Sequence, residues 1–260
     1  MRIATFNVNG IKARLPALLD WLRRAEADVV CLQELKSLDA NVPRAEIEDA
    51  GWNLETHGQK SFNGVAILSR RPIEDVSRGL PGDETDEQAR YMEATVSGEG
   101  TALRVCALYL PNGNPAPGPK FDYKLAWMAR LRARAAELLA AEEPAVLAGD
   151  FNVIPQPEDA ATPGNWEDDA LFLPETRAAF RRLLHQGWTD ALRIHRPEPG
   201  VYSFWDYQGG AWRRDEGIRI DHLLLTPQAA DRLSAAAVDA HVRGGEKPSD
   251  HVPVWCDLAL

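Results

Sequence analysis

Eight apolar runs of strand length punctuate this chain, and the way they are spaced constrains its fold more than any other feature. They are Arg2–Phe6, Asp28–Leu32, Gly64–Ser69, Tyr91–Val96, Leu103–Leu110, Ala145–Gly149, Arg219–Leu225 and Val252–Leu258. Several are rich in Val and Ile or too short to be helices. A helix is expected over Phe121–Glu142, where Phe121, Leu125, Met128, Leu131, Ala135, Leu138 and Leu139 make one buried stripe and Arg130 and Arg134 fall off it into solvent. Two more are expected over Pro16–Ala25 and Pro174–Gln186, the latter closed by Gly187. No helix separates the runs between Gly64 and Leu110, so a purely βαβ winding fails. A layered α/β sandwich with much antiparallel pairing fits. The loops 111–120 and 153–175 are rich in Pro and Gly, but no composition break marks a boundary, so 1–260 is expected to be one domain.

Composition narrows the class. The 260 residues are 45% hydrophobic and 26% charged, which excludes disorder, collagen and coiled coil as the main state. With 39 acidic against 29 basic residues the net charge is −10, which places nucleic acid low among partners, because phosphate contacts favour basic surfaces. Cys31, Cys106 and Cys256 sit singly in apolar runs, with no zinc spacing and an odd count. Reduced core thiols in a reducing compartment are the reading. No apolar run approaches the roughly 20 residues of a membrane helix, and the N-terminus runs straight into a strand pattern without a signal-peptide core. A cytoplasmic soluble protein is expected.

Polar residues recur where these runs end. Asn7 and Asn9 follow the first, Glu34 the second, Tyr109 and Asn112 the fifth, and Asp150 and Asn152 the sixth; Asp221 interrupts the seventh and Asp250-His251 precedes the last. Strand ends on one rim of a sheet converge, and sites are built there. Each element alone has a bland reading: turn chemistry for the asparagines, a solvated strand end for Glu34, an Asx turn for Asp150-Phe151-Asn152. Asp221 resists it, since a carboxylate between Ile220 and Leu223-Leu224-Leu225 needs a partner. His222 points to the opposite face of the same strand and reads as packing or surface. His251 with a buried Asp221 behind it would be an oriented imidazole. No serine or cysteine nucleophile elbow and no Gly-rich phosphate loop is present. Oxygen donors without cysteine suit Mg²⁺ or Mn²⁺ rather than Zn²⁺. A hard metal, a His-Asp pair and a carboxylate base are the parts for water attack on a phosphoester.

In order and wording these elements resemble the exonuclease III family of apurinic/apyrimidinic endonucleases, within the endonuclease/exonuclease/phosphatase superfamily. The resemblance is carried by Thr5-Phe6-Asn7-Val8-Asn9-Gly10-Ile11-Lys12-Ala13-Arg14, Leu32-Gln33-Glu34-Leu35-Lys36, His57-Gly58-Gln59-Lys60, Gly64-Val65-Ala66-Ile67-Leu68, Tyr109-Leu110-Pro111-Asn112-Gly113, Gly149-Asp150-Phe151-Asn152, Phe172-Leu173-Pro174-Glu175, Arg219-Ile220-Asp221 and Lys247-Pro248-Ser249-Asp250-His251. It implies a four-layered α/β sandwich of two packed mixed β-sheets flanked by helices, with the site at the top between the sheets. Carried over by position, Glu34 is the principal ligand of Mg²⁺ (Mn²⁺ as the substitute), in a metal set with Asn7, Asp250, Asp150 and Asn152. Asp150 activates or orients the water, Asn152 and Asn7 hold Asp150 or the phosphate, and His251, held by Asp221, bonds the phosphate oxygen where charge develops. Tyr109 contacts the same phosphate or assists the leaving group.

DNA contacts are expected from Asn9, Asn112, Arg90, Lys60, Phe204, Trp205 and Arg219, on double-stranded DNA with abasic sites or blocked or recessed 3′ ends. No membrane or obligate protein partner is implied. Phe204, with Ile220, is expected to wall the pocket for the base-less sugar. Ile218 stands where many relatives carry an aromatic, with Trp212 as a possible compensation. The acidic loop 153–175 is expected to face away from DNA or to be mobile, and Arg14, Lys36, Lys60, Arg90, Arg219 and Lys247 to form a basic rim. Two other readings share part of the pattern: a phosphatase of lipids or small phosphoesters, and an RNA-associated regulator built on this fold without nuclease activity.

Overall fold

The computed structural model describes residues 1–98 and 100–260. In chain order the strands are β1 (Arg2–Asn7), β2 (Val29–Gln33), β3 (Asn53–His57), β4 (Val65–Ser69), β5 (Ile73–Arg78), β6 (Tyr91–Ser97), β7 (Ala102–Tyr109), β8 (Ala145–Asp150), β9 (Thr189–Asp190), β10 (Asp221–Leu225), β11 (Leu233–Val238) and β12 (Val254–Leu258). The helices used below are α1 (Ile11–Arg24), α2 (Arg44–Asp49), α3 (Pro119–Ala140) and α4 (Pro174–Leu184).

One sheet runs β11-β12-β1-β2-β4-β3 and the other β5-β6-β7-β8-β10-β9. Each has a single parallel pair near its middle, β1–β2 and β7–β8, and is otherwise antiparallel. A parallel pair needs a crossover, which α1 and α3 supply. Alternation along the strands builds the layers. In β2, Val29 and Cys31 point into the core shared by both sheets, while Val30 and Leu32 meet α1 and α2. In β8, Val146 and Ala148 face that shared core, while Ala145 and Leu147 meet α3 and α4. The result is the expected helix–sheet–sheet–helix sandwich. All three cysteines are free and buried in it. No helix among the described residues is long and apolar enough to cross a membrane.

Four strands were not expected from the sequence: β3, β5, β9 and β11. All four are sheet edges, with mixed burial in place of a continuous apolar run. Helix α1 begins at Ile11, not Pro16, so that proline lies inside the helix. Arg130 and Arg134 leave the apolar stripe without entering free solvent. Arg130 pairs with Asp86 at 2.8 Å and Arg134 with Glu93 at 2.7 Å. The loop 153–175 is anchored by its apolar residues. Ile154, Ala160, Leu171 and Phe172 pack against Ile218 and Ile220 beside the strand ends that gather the polar residues.

Candidate active site

Strand register brings Asn7, Tyr109, Asp150 and Asp221 to one rim. Asn7 pairs with Gln33 at the ends of β1 and β2, and Asp150 pairs with Tyr109 on one side and Asp221 on the other. Each residue just beyond or at these ends then turns. Glu34, Lys36 and Asn152 all take left-handed backbone conformations, φ 52°, 51° and 47°, uncommon for residues with a Cβ and characteristic of sites where structure overrides local preference.

The Asn7 amide bridges the sheets. Its Nδ2 donates to Glu34 Oε1 at 2.9 Å and to Asp150 Oδ2 at 3.0 Å, while its Oδ1 accepts the Asn9 N–H at 3.0 Å. Asp150 also receives the Asn152 N–H at 2.8 Å. Behind it, His251 Nδ1 bonds Asp221 Oδ2 at 2.8 Å, and its Nε2 stands 3.7 Å from Asp150 Oδ2. Ser203 steadies Asp221: its hydroxyl donates to Oδ2 at 2.6 Å and accepts the Asp221 N–H at 3.1 Å. The other oxygen, Asp221 Oδ1, is buried without a protein partner.

Burial would push the His251 imidazole toward neutrality, but Asp221 and Asp150 outweigh it and raise its pKa to about 10. Asp150 is raised to about 7, chiefly by burial, with Asp221 and Glu34 adding to the effect against the opposing pull of His251. Burial raises Tyr109 well above its usual value, reinforced by Glu34 and Asp150, so the phenol stays protonated. Glu34 goes the other way: burial alone would raise it, but Lys36, 2.7 Å from its Oε2, holds it below the usual glutamate range.

Ligand atoms of Glu34, Asp150 and His251 lie within 4.8 Å of one another, the one such group of acidic, histidine or cysteine side chains among the described residues. His251 Nδ1 is taken by Asp221, and the carboxylate oxygens of Glu34 and Asp150 fit a hard divalent cation. Asn7 presents its NH₂ to the carboxylates. Asn152 is occupied on both amide atoms, giving Nδ2 to Leu110 O and taking Asn112 Nδ2 at 3.2 Å on its oxygen. Asp250 lies outside that group, its Oδ1 receiving Asn9 Nδ2 at 3.0 Å.

Among the expected DNA contacts, Lys60 is exposed, and Arg90 stacks over Tyr109 with its guanidinium 5.0 Å from the ring. Phe204 lies edge-on to His251, ring centres 4.9 Å apart, and belongs to the cluster of Ile218, Ile220 and Phe172. Two assignments are corrected. Arg219 is only 1% exposed and is spent on ion pairs with Asp159 and Asp190, both at 2.7 Å, so it cannot reach a phosphate. Trp205 is turned into a separate core with Tyr202 and Trp212. Trp212 therefore does not stand in for an aromatic at 218; the tryptophan packed on that cluster is Trp166, from the acidic loop. Ser203, Ser249 and Lys124 were missed. Ser249 donates to Asn7 O at 2.7 Å. Lys124 gave a readable signal: three residues after Phe121 and four before Met128, it is a lysine on an apolar stripe.

Two carboxylates, an amide bridge and an oriented imidazolium at a sheet seam define a hydrolytic centre of the phosphoester-cleaving kind. The chain belongs to the Endonuclease/Exonuclease/phosphatase family, whose model matches residues 4–251. It is 32% identical over 266 residues to exodeoxyribonuclease III of Haemophilus influenzae, covering 99% of this chain and 100% of the relative. Among solved structures it is similar to an AP endonuclease from Archaeoglobus fulgidus (TM-score 0.94, 36% identity, all of both chains). It is also similar to a 3′ phosphatase from Neisseria, NExo, bound to a product DNA hairpin (TM-score 0.95, 38% identity, all of both chains).

Proposed function

We propose that this chain is a Mg²⁺-dependent DNA repair phosphodiesterase that incises 5′ to abasic sites and also removes nucleotides and blocking groups from 3′ ends. The observation that carries the reading is the convergence of Glu34, Asp150 and His251 within 4.8 Å, with Asp221 bonded behind the imidazole. Mg²⁺ held by Glu34 with Asp150 would polarise a phosphoryl oxygen and neutralise charge, and Mn²⁺ takes the same oxygen ligands.

The chain's own residues perform the rest. Asp150, aimed by the Asn7 and Asn152 N–H groups, takes the proton from the attacking water. His251 keeps both ring N–H groups: one is spent on Asp221, and Nε2 donates to the phosphate oxygen that gains charge. The protonated Tyr109 supplies a second donor. Phe204 walls the sugar pocket, and Lys60, Arg90, Asn9 and Asn112 track the DNA backbone. The whole span 1–260 works as one domain, in the cytoplasm, without an obligate partner.

The similarity to a Neisseria 3′ phosphatase favours a second emphasis, in which 3′-end processing outweighs incision. One experiment separates the readings: abasic duplex, duplex with recessed or 3′-phosphate ends, and inositol phosphates are each offered with Mg²⁺, with and without excess chelator. Incision of abasic duplex that chelator abolishes is expected. Cleavage of inositol phosphates alone, or full activity in chelator, would sink the proposal.

A further inference from the structure

Lys124 is fully buried and makes no salt bridge among the described residues, although Asp150 and Asp169 lie near enough to act on its charge. It lies in the second turn of α3, the crossover between the parallel strands β7 and β8, and its Nζ reaches up to the two turns that close those strands. It donates to Asn112 O at 3.0 Å and to Asn152 O at 2.6 Å. The side chains of the same two residues bond one another at 3.2 Å, and the Asn152 N–H holds Asp150 Oδ1 at 2.8 Å. An apolar side chain at this stripe position would leave two carbonyls without a donor.

The fit around the lysine is close. A Cβ on Gly113 would lie 2.6 Å from Lys124 Cδ and 3.2 Å from Ala170 Cβ, and Gly113 has φ +92°. Glycine there lets the loop after β7 press onto the lysine stem. Asn152, with its left-handed backbone, keeps that conformation only if its surroundings impose it.

We infer that Lys124 is a positioning residue for the hydrolytic centre, a tie from the crossover helix that holds the Asn112 and Asn152 turns together and thereby aims the amide that orients Asp150. The inference rests on the reading of Asp150 as the water-activating carboxylate. Two N–H groups suffice for the tie, so the neutral amine serves as well as the ammonium. Displacing a supporting group by about 1 Å costs on the order of 100-fold in rate when the reacting geometry depends on it.

The test compares Lys124→Met, Lys124→Arg, Gly113→Ala and Asp150→Asn with the wild type on abasic duplex at saturating Mg²⁺, separating kcat from KM, with melting temperatures measured alongside. Lys124→Met should lose about 10- to 100-fold in kcat with KM within about 3-fold. Lys124→Arg, which retains donors, should recover most of the loss, and Gly113→Ala should repeat the kcat-selective defect from the opposite side. Unchanged kcat in folded Lys124→Met overturns the tie, as does a loss confined to KM. If Lys124→Met does not fold, Gly113→Ala decides: a kcat-selective loss supports the tie and wild-type kcat overturns it. Wild-type activity in Asp150→Asn would instead overturn the reading of the site itself, whereas an inactive Asp150→Asn beside a fully active Lys124→Met fails the tie alone.

Discussion

Strand β10 carries two buried ionic clusters on opposite faces, and they are built on opposite terms. On one face Asp221 backs His251, with one carboxylate oxygen unpartnered and Asp150 raised to about 7. On the other, His222 accepts from Arg219 at 2.9 Å and approaches Val153 O at 3.1 Å, while Arg219 is saturated by Asp159 and Asp190. Burial would raise Asp159 and Asp190, but Arg219 outweighs it and holds both below the usual range. Similar residues at similar depth thus give a structural clamp where every charge is met, and a reactive centre where compensation is left incomplete. The clamp also joins the loop 153–175 to β9, with Arg193 adding a further pair to Asp159.

The comparison can be broken at either end. The largest effect is expected at the reactive cluster: Asp150→Asn should lower incision by about 10²- to 10⁴-fold with the melting temperature little changed, as read by single-turnover cleavage. Near-wild-type turnover would remove Asp150 from the chemistry. Arg219→Met should act through stability instead. It leaves buried Asp190 without its guanidinium and Asp159 with Arg193 alone, and should cost about 3–5 kcal/mol in denaturant titration. Its salt dependence of DNA binding should not change. A weaker salt dependence with intact stability would restore Arg219 to the DNA face.

The two histidines should give stability opposite pH signs. Burial, aided by Arg219, lowers His222 from 6.5 to about 4, so the unfolded chain binds the extra proton first and stability falls as pH drops through that window. His251 is raised to about 10, so its contribution is complete below about 6.5 and is lost as pH rises toward 10. Replacing His222 with Gln should flatten the acid limb by about 1–3 kcal/mol and leave the alkaline limb in place. An acid limb of unchanged slope would assign it to carboxylates alone. The smallest effect is expected at the exposed rim, where Lys60→Ala should reduce the salt slope of DNA affinity by about one ion. An unaltered slope would take Lys60 out of the interface.

Much of this was legible in the sequence, for a physical reason. Strands buried on both faces write continuous apolar runs, and the eight such runs are the interior strands of the two sheets. The edges β3, β5, β9 and β11 have one side without a strand neighbour and tolerate polar residues, so they leave little trace. Asp221 and His251 were legible because a charge beside an apolar run demands explanation. Arg219 was misread because Asp159 and Asp190, 60 and 29 residues away, become its partners only in three dimensions. Trp205 was misread because strand-like alternation there says one neighbour points inward without saying which. The net charge of −10 proved to be a sum over unlike places: part of the acid lies in the reactive cluster and part in the clamp.

The reactive cluster also straddles two sheets. Glu34, Asn7 and His251 ride on one and Asp150, Tyr109 and Asp221 on the other, joined across the seam by Asn7–Asp150 and His251–Asp221. The gap between those halves is therefore gauged by the thickness of an oily spacer, in which Ala94, Ala107 and Ala148 are the thin places. A larger side chain at Ala148 should detune catalysis by prising the halves apart, with no polar group altered; kcat independent of side-chain volume there would show that the seam yields rather than gauges.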